Sequence, residues 1–219
     1  MSLDAEISVH LGRFTLDVAL RVDAGEVLTL VGPNGAGKTT ALCAIAGLVA
    51  LERGRVSLSG IVLDEPAAGI WVPPEAREIG FVFQDARLFP HQTALENVAF
   101  GLRARGIARP LARQRARDWL ERVGLGALAC APAATLSGGE SRKVALVRAL
   151  AIAPRALLLD EPFASLDETA GVDLRETLRV HLHEFTGPCV LVTHEPEDAR
   201  MLGGRTLRID AGRNERETR

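Results

Sequence analysis

The sequence contains no tyrosine, and its 7 phenylalanines and 2 tryptophans leave aromatic residues at 4 %. The Arg-rich stretch 103–117 has none of them, and so lacks the interleaved aromatics on which a nucleic-acid surface stacks bases. Cysteine is equally sparse. Cys43, Cys130 and Cys189 are odd in number, scattered and without metal-ligand spacing, so they read as small buried hydrophobes in a reducing compartment. No apolar run approaches the roughly 18 residues needed to span a bilayer. The opening MSLDAEISVH has neither a basic nor an apolar leader region, which predicts a cytoplasmic chain without a signal peptide. Excess charge of one sign is missing too: 28 acidic residues face 26 basic ones, a balance that disfavours a nucleic-acid backbone as partner.

What is present suits one compact domain. The chain has 219 residues, 47 % of them hydrophobic, enough to build a core without disulfides or metals. Phe14, Leu16, Val18, Leu20 and Val22 alternate with Thr15, Asp17, Arg21 and Asp23, the period of a half-buried strand in an antiparallel sheet. After the Ala24-Gly25 turn, VLTLV at 27–31 reads as a buried strand and residues 39–49 as a helix. Short strands are expected around 56–58 and 81–83. Residues 85–139 are rich in Arg, Ala and Leu and read as an inserted helical subdomain, with a helix at 112–123. ALLLD at 156–160, CVLVT at 189–193 and TLRID at 206–210 then alternate with helical stretches, which predicts a parallel sheet. The expected fold is therefore α/β. A P-loop NTPase core (1–84 and 140–219) with a mostly parallel sheet joins an N-terminal antiparallel β subdomain and the helical insertion. The polar residues 212–219 are expected to fray.

Gly32, Pro33, Asn34, Gly35, Ala36, Gly37, Lys38 and Thr39 match the phosphate-binding pattern G-x-x-x-x-G-K-S/T, with a strand before it and a helix after it, and Thr40 is expected to bind nucleotide with them. The glycines let the backbone N–H groups curl inward toward phosphate, and the helix N-terminus adds partial positive charge. Lys38 supplies a full charge, and the Thr39 hydroxyl is placed to ligate Mg²⁺. The buried strand 156–160 ends in two acids. Asp160 is the expected Mg²⁺ partner of the phosphate loop, and Glu161 is the candidate general base for an attacking water. Two acids after a strand could also merely begin a loop; the phosphate loop beside them favours the functional reading.

Leu136-Ser137-Gly138-Gly139-Glu140 then resembles the signature of the ATP-binding-cassette (ABC) ATPases, usually LSGGQ. Gln84 resembles that family's Q-loop glutamine, Ser165-Leu166-Asp167 its D-loop, and His194 its switch histidine, all in the family's order. The resemblance implies ATP and Mg²⁺ as ligands, with Gln84 at the metal and His194 near the γ-phosphate. It also implies a head-to-tail homodimer in which Ser137, Gly138, Gly139 and Glu140 of one chain face the other chain's ATP, while Ser165 and Asp167 cross the interface. Ser137-Gly-Gly opening a helix is physically a second anion site, as such a pairing requires.

Three positions depart from the pattern: Glu140 replaces glutamine, Lys143 replaces arginine, and no tyrosine can stack on adenine. Phe14 is the nearest stacking candidate, and equally a core residue of its alternating strand.

The resemblance further implies a subunit on the inner face of the membrane that serves an integral permease and, indirectly, a periplasmic or surface solute-binding protein. A chromosome or DNA-repair ATPase would separate phosphate loop and signature by a long coiled coil, which is not seen between residues 39 and 136. The Arg-rich stretch 103–117 alternates with Ala and Leu and reads as a solvated helix face. His10, His91, His181 and His183 lack ligand spacing. Residues 69–75 and 79–91 look closest to molybdate-type import cassettes, so molybdate or a related oxyanion is the expected cargo. Thiamine or another small solute is the alternative.

Overall fold

In the computed structural model, which describes residues 1–202 and 204–218, the chain divides into two compact units. The first comprises Met1–Phe81, Arg155–Glu161 and the chain from His181 onward; the second comprises Val82–Pro154 and Pro162–Val180. The helical unit is thus larger than expected. It keeps the whole signature helix, beyond the expected boundary at residue 140, because that helix buries Val144, Val147 and Ala151 among the helices of the insertion.

The first unit is built on one mixed sheet. Strands β1 (Ser2–Leu11), β2 (Phe14–Asp23), β3 (Val27–Val31), β4 (Arg53–Leu58), β5 (Ile61–Glu65), β6 (Ile70–Trp71), β7 (Ile79–Val82), β8 (Ala156–Asp160), β9 (Cys189–Val192), β10 (Arg205–Asp210) and β11 (Arg213–Thr218) lie in the order β6-β5-β4-β1-β2-β11-β10-β3-β9-β8-β7. Strands β10, β3, β9 and β8 run parallel, while β2, β1, β4, β5 and β6 form the antiparallel portion. The alternation read for β2 holds: Leu16, Val18, Leu20 and Val22 are buried and their neighbours exposed. Leu3, Ala5, Ile7 and Val9 of β1 repeat it, paired residue for residue with β2. In β8 every residue is buried, as a strand covered on both faces requires.

Two expectations are corrected here. Residues 213–218 form β11 instead of fraying: Ala211 and Gly212 adopt φ of 45° and 80°, the left-handed pair of a tight hairpin turn, and return the chain onto β10. Of the three cysteines, Cys189 is buried and its thiol pKa is pushed up by that burial, whereas Cys43 is half-buried and Cys130 exposed.

The second unit packs α2 (Ala94–Ala104), α3 (Arg109–Arg122) and α4 (Gly138–Ala151) around Leu95, Val98, Leu102, Ala112, Ala116, Leu120, Val144 and Val147. Thr93 caps α2 by accepting from the Glu96 N–H at 3.2 Å, and α3 opens with Pro110 in its first turn, where a missing N–H costs nothing. The exposed arginines of α3 flank this apolar stripe, as a solvated face predicts. Helix α5 (Glu168–Glu184) begins in this unit and continues into the first. Among the described residues no helix is long and apolar enough to cross a membrane.

Candidate nucleotide site

The phosphate loop joins β3 to α1 (Lys38–Ala46). Gly37, at φ 101°, caps the helix in a conformation that side chains resist, and an added Cβ there would lie 2.8 Å from the Phe14 ring. At Gly32, φ 151°, a Cβ would strike the Ile209 carbonyl at 2.0 Å. Pro33, Asn34 and Gly35 are exposed, Ala36 is buried, Gly37 and Thr40 are half-buried, and Thr39 is exposed at the first turn of α1. Lys38 is 5 % exposed, with Nζ donating to the carbonyls of Gly32 at 2.9 Å and Pro33 at 3.0 Å. The loop therefore curls around its own ammonium.

Helix α1 ends at Ala46, short of the expected 49. Gly47 turns left-handed, at φ 79°, and the Leu48 N–H reaches the Cys43 carbonyl at 2.8 Å. A side chain that the sequence did not single out secures this end. Arg77, fully buried, donates to the carbonyls of Ala44 (3.2 Å), Ile45 (2.9 Å) and Val72 (2.7 Å), and pairs with Asp64 at 2.9 Å. Its surroundings require Gly47, where a Cβ would sit 2.5 Å from the guanidinium.

Strand β8 delivers the acids. Asp160, 3 % exposed, accepts from the Thr39 hydroxyl at 3.0 Å, which places carboxylate and hydroxyl oxygens side by side beneath the phosphate loop. These hard oxygen donors fit Mg²⁺, whose coordination favours them. Glu161 follows with φ 44°, a conformation costing about 1–3 kcal/mol and concentrated at functional sites. Its N–H is anchored on the Val192 carbonyl at 3.0 Å, and its Oε2 lies 3.6 Å from His194 Nδ1. Glu161 and His194, from the ends of adjacent parallel strands, thus converge. Phe14, half-buried at the start of β2, packs on the core and touches Gly37, so its ring borders the phosphate loop.

In the second unit Ser137 and Glu140 form a capping box at the start of α4: Ser137 Oγ accepts from the Glu140 N–H at 3.3 Å, and Glu140 accepts from the Ser137 N–H at 2.7 Å. The glutamate that departs from the family pattern therefore serves the helix start. Gly138 is exposed with room above it, whereas a Cβ on Gly139 would lie 2.9 Å from Ala170, so the second glycine is needed for close packing on α5. Lys143 is buried, pairs with Asp173 at 2.5 Å and points to the Val123 carbonyl; these contacts tie α4 to α5 and α3. Asp167 caps α5 through the Ala170 N–H at 2.9 Å, and Ser165 is exposed at φ 58°. Gln84 is exposed, its carbonyl 3.4 Å from Arg142.

Comparison with known proteins agrees with this architecture. The family model described as ABC transporter matches residues 15–164. The sulfate/thiosulfate import ATP-binding protein of Bradyrhizobium diazoefficiens is 46 % identical over 202 residues, covering 90 % of this chain and 57 % of that protein. The Fe(3+) ions import ATP-binding protein of Streptomyces avermitilis is 45 % identical over 97 % of this chain and 60 % of its own length. The molybdenum import ATP-binding protein of Mycobacterium tuberculosis is 42 % identical over 90 % and 54 %. The chain thus spans little more than half the length of these relatives. Among solved structures, the dimeric ATP-binding cassette MJ0796 in a post-hydrolysis state with ADP and Pi superposes with a TM-score of 0.83 at 31 % identity, covering 100 % of this chain and 98 % of that one. With that family model covering more than half of its residues and that fold shared along its whole length, the chain belongs to the ABC transporter family as an ATP-binding cassette of the P-loop NTPase fold.

Proposed function

We propose that this cassette binds and hydrolyses ATP to power a membrane importer. The observation that carries the reading is the convergence in one unit of a formed phosphate loop, the Thr39–Asp160 pair and the strained Glu161 beside His194. Loop amides, the N-terminus of α1 and Lys38 hold the phosphates, Lys38 exchanging its two loop carbonyls for phosphate oxygens. Thr39 and Asp160 would hold Mg²⁺, with Gln84 as the further ligand that the family resemblance implies, and the ion would offset the charge that develops on the phosphate. Glu161 orients water and takes its proton, and His194 steadies that carboxylate and meets the γ-phosphate.

The second anion site, at Ser137, Gly138 and Gly139, faces the ATP of a partner copy in a head-to-tail homodimer; Ser165 and Asp167 lie at that interface. Binding of ATP closes the dimer, and hydrolysis removes the bridging charge. Turnover should accordingly rise more than linearly with protein concentration; a specific rate independent of dilution, with no dimer in ATP, would refute the composite site.

The aromatic surface of Phe89 and Phe100, ring centroids 4.8 Å apart with Phe100 43 % exposed, is read as the place where the permease docks. The cargo is read as molybdate or a related tetrahedral oxyanion. Support comes from residues 69–75 and 79–91 and from the printed substrates of two relatives, sulfate/thiosulfate and molybdenum. Fe(3+), the substrate printed for a third, is the competing reading. Reconstitution with the cognate permease and binding protein decides: stimulation by molybdate-, tungstate- or sulfate-loaded binding protein is expected, and stimulation by Fe(3+), thiamine or sugar alone would end the oxyanion reading.

A further inference from the structure

The segment after Gln84 is held in an unfavourable shape. Ala86 and Arg87 are consecutive, neither is glycine, and both are left-handed, at φ 55° and 46°. Side chains resist that conformation, and two in succession persist only where surrounding contacts impose it.

Those contacts come from the signature helix. Arg148 of α4 donates Nη1 to the Arg87 carbonyl and Nη2 to the Ala86 carbonyl, each at 2.7 Å, so one planar guanidinium grips both left-handed residues. Earlier on the same helix, Arg142 reaches the Gln84 carbonyl at 3.4 Å, with its Nε buried and without an acceptor. On the far side Asn97 of α2 accepts from the Phe89 N–H at 2.8 Å and donates to the Phe89 carbonyl at 3.1 Å. Residues 84–89 are therefore clamped at both ends. Burial pushes the Arg148 guanidinium below its ordinary pKa, and the two carbonyls it grips accept from it. Sliding the segment along α4 would break two charge-assisted bonds at once and strand a half-buried cation. Such a clamp is either engaged or released, with little in between.

We propose that Arg148 is a positioning residue that locks residues 85–89 to the signature helix, so that the permease-facing segment and the second anion site shift as one body when Gln84 responds to nucleotide. This rests on the functional reading above for what the body does, but not for the clamp itself. The α4 helix starts at the Ser137 capping box and is continuous to Ala151, which makes it a rigid strut between the two.

The test uses the full chain carrying Arg148→Lys or Arg148→Gln. Hydrogen exchange is measured first without nucleotide, so the result stands whether or not the chain hydrolyses ATP. Arg148→Lys keeps charge and stem but cannot grip two carbonyls. It should speed exchange at residues 86–89 roughly tenfold while the interior of α4 stays protected, and Arg148→Gln should speed it further. In steady-state turnover both should lower kcat with KM for ATP unchanged, because the phosphate loop is untouched. Wild-type exchange at 86–89 in Arg148→Lys would overturn the proposal. So would exchange rising equally along all of α4, the signature of a merely structural arginine. A wild-type chain without ATPase activity would sink the functional reading, and the exchange result would still decide the clamp.

Discussion

Replacing Arg77 by methionine should cost about 3–5 kcal/mol, the usual penalty for leaving the partner of a buried ion pair uncompensated. The structure supplies the reasons. Arg77 and Asp64 side chains are 0 % and 3 % exposed, so the orphaned carboxylate has no access to bulk water. The same change strips donors from the Ala44 and Ile45 carbonyls, which end the phosphate-loop helix, and from Val72. For a chain of this size each kcal/mol moves Tm by about 2–4 °C, so the midpoint should fall by roughly 6–20 °C. Adding Asp64→Leu removes the stranded charge and should recover about 2 kcal/mol or more, but not everything, because three carbonyls stay without their donor. Urea unfolding followed by circular dichroism on wild type, both single variants and the double variant closes the cycle. A single variant within about 1 kcal/mol of wild type would refute the reasoning, as would a double variant equal to the sum of the singles.

Lys38→Ala should weaken ATP binding about 10- to 150-fold, the loss of a charge-assisted contact to phosphate, as measured with a fluorescent ATP analogue. Glu161→Gln should retain ATP binding and accumulate a dimer in ATP while kcat falls about 10²- to 10⁴-fold; normal turnover would end its assignment as base. His194→Ala should lower kcat far more than ATP affinity, and equal losses in both would indicate a folding role instead. Phe89→Asp should uncouple transport in reconstituted vesicles and leave basal ATPase intact. Leu88, which packs on the helical core, is the contrasting position, where a charge should unfold the helical unit.

The sequence by itself determined the local chemistry and the elements whose periodicity is strong. VLTLV and ALLLD became strands at the expected residues because continuous burial selects such runs, and the glycines of 32–37 dictated a loop that only positive φ permits. Tertiary contact decided the rest. Polar RNERET carries no hydrophobic period, and its strand exists because the Ala211-Gly212 turn lays it on β10. Glu140 stands in the sequence only as a replacement for glutamine, and its role in the capping box depends on the Ser137 backbone being bent to meet it. Lys143 likewise stands there only as a replacement for arginine, and packing alone gives its ammonium Asp173 as a partner. The strain at Glu161, the Arg77 anchor and the Arg148 grip join residues far apart in the chain to carbonyl oxygens. Every residue carries a carbonyl, so no residue type marks the one that will be bound; its partner is chosen only when packing brings the two within 3 Å or so of each other.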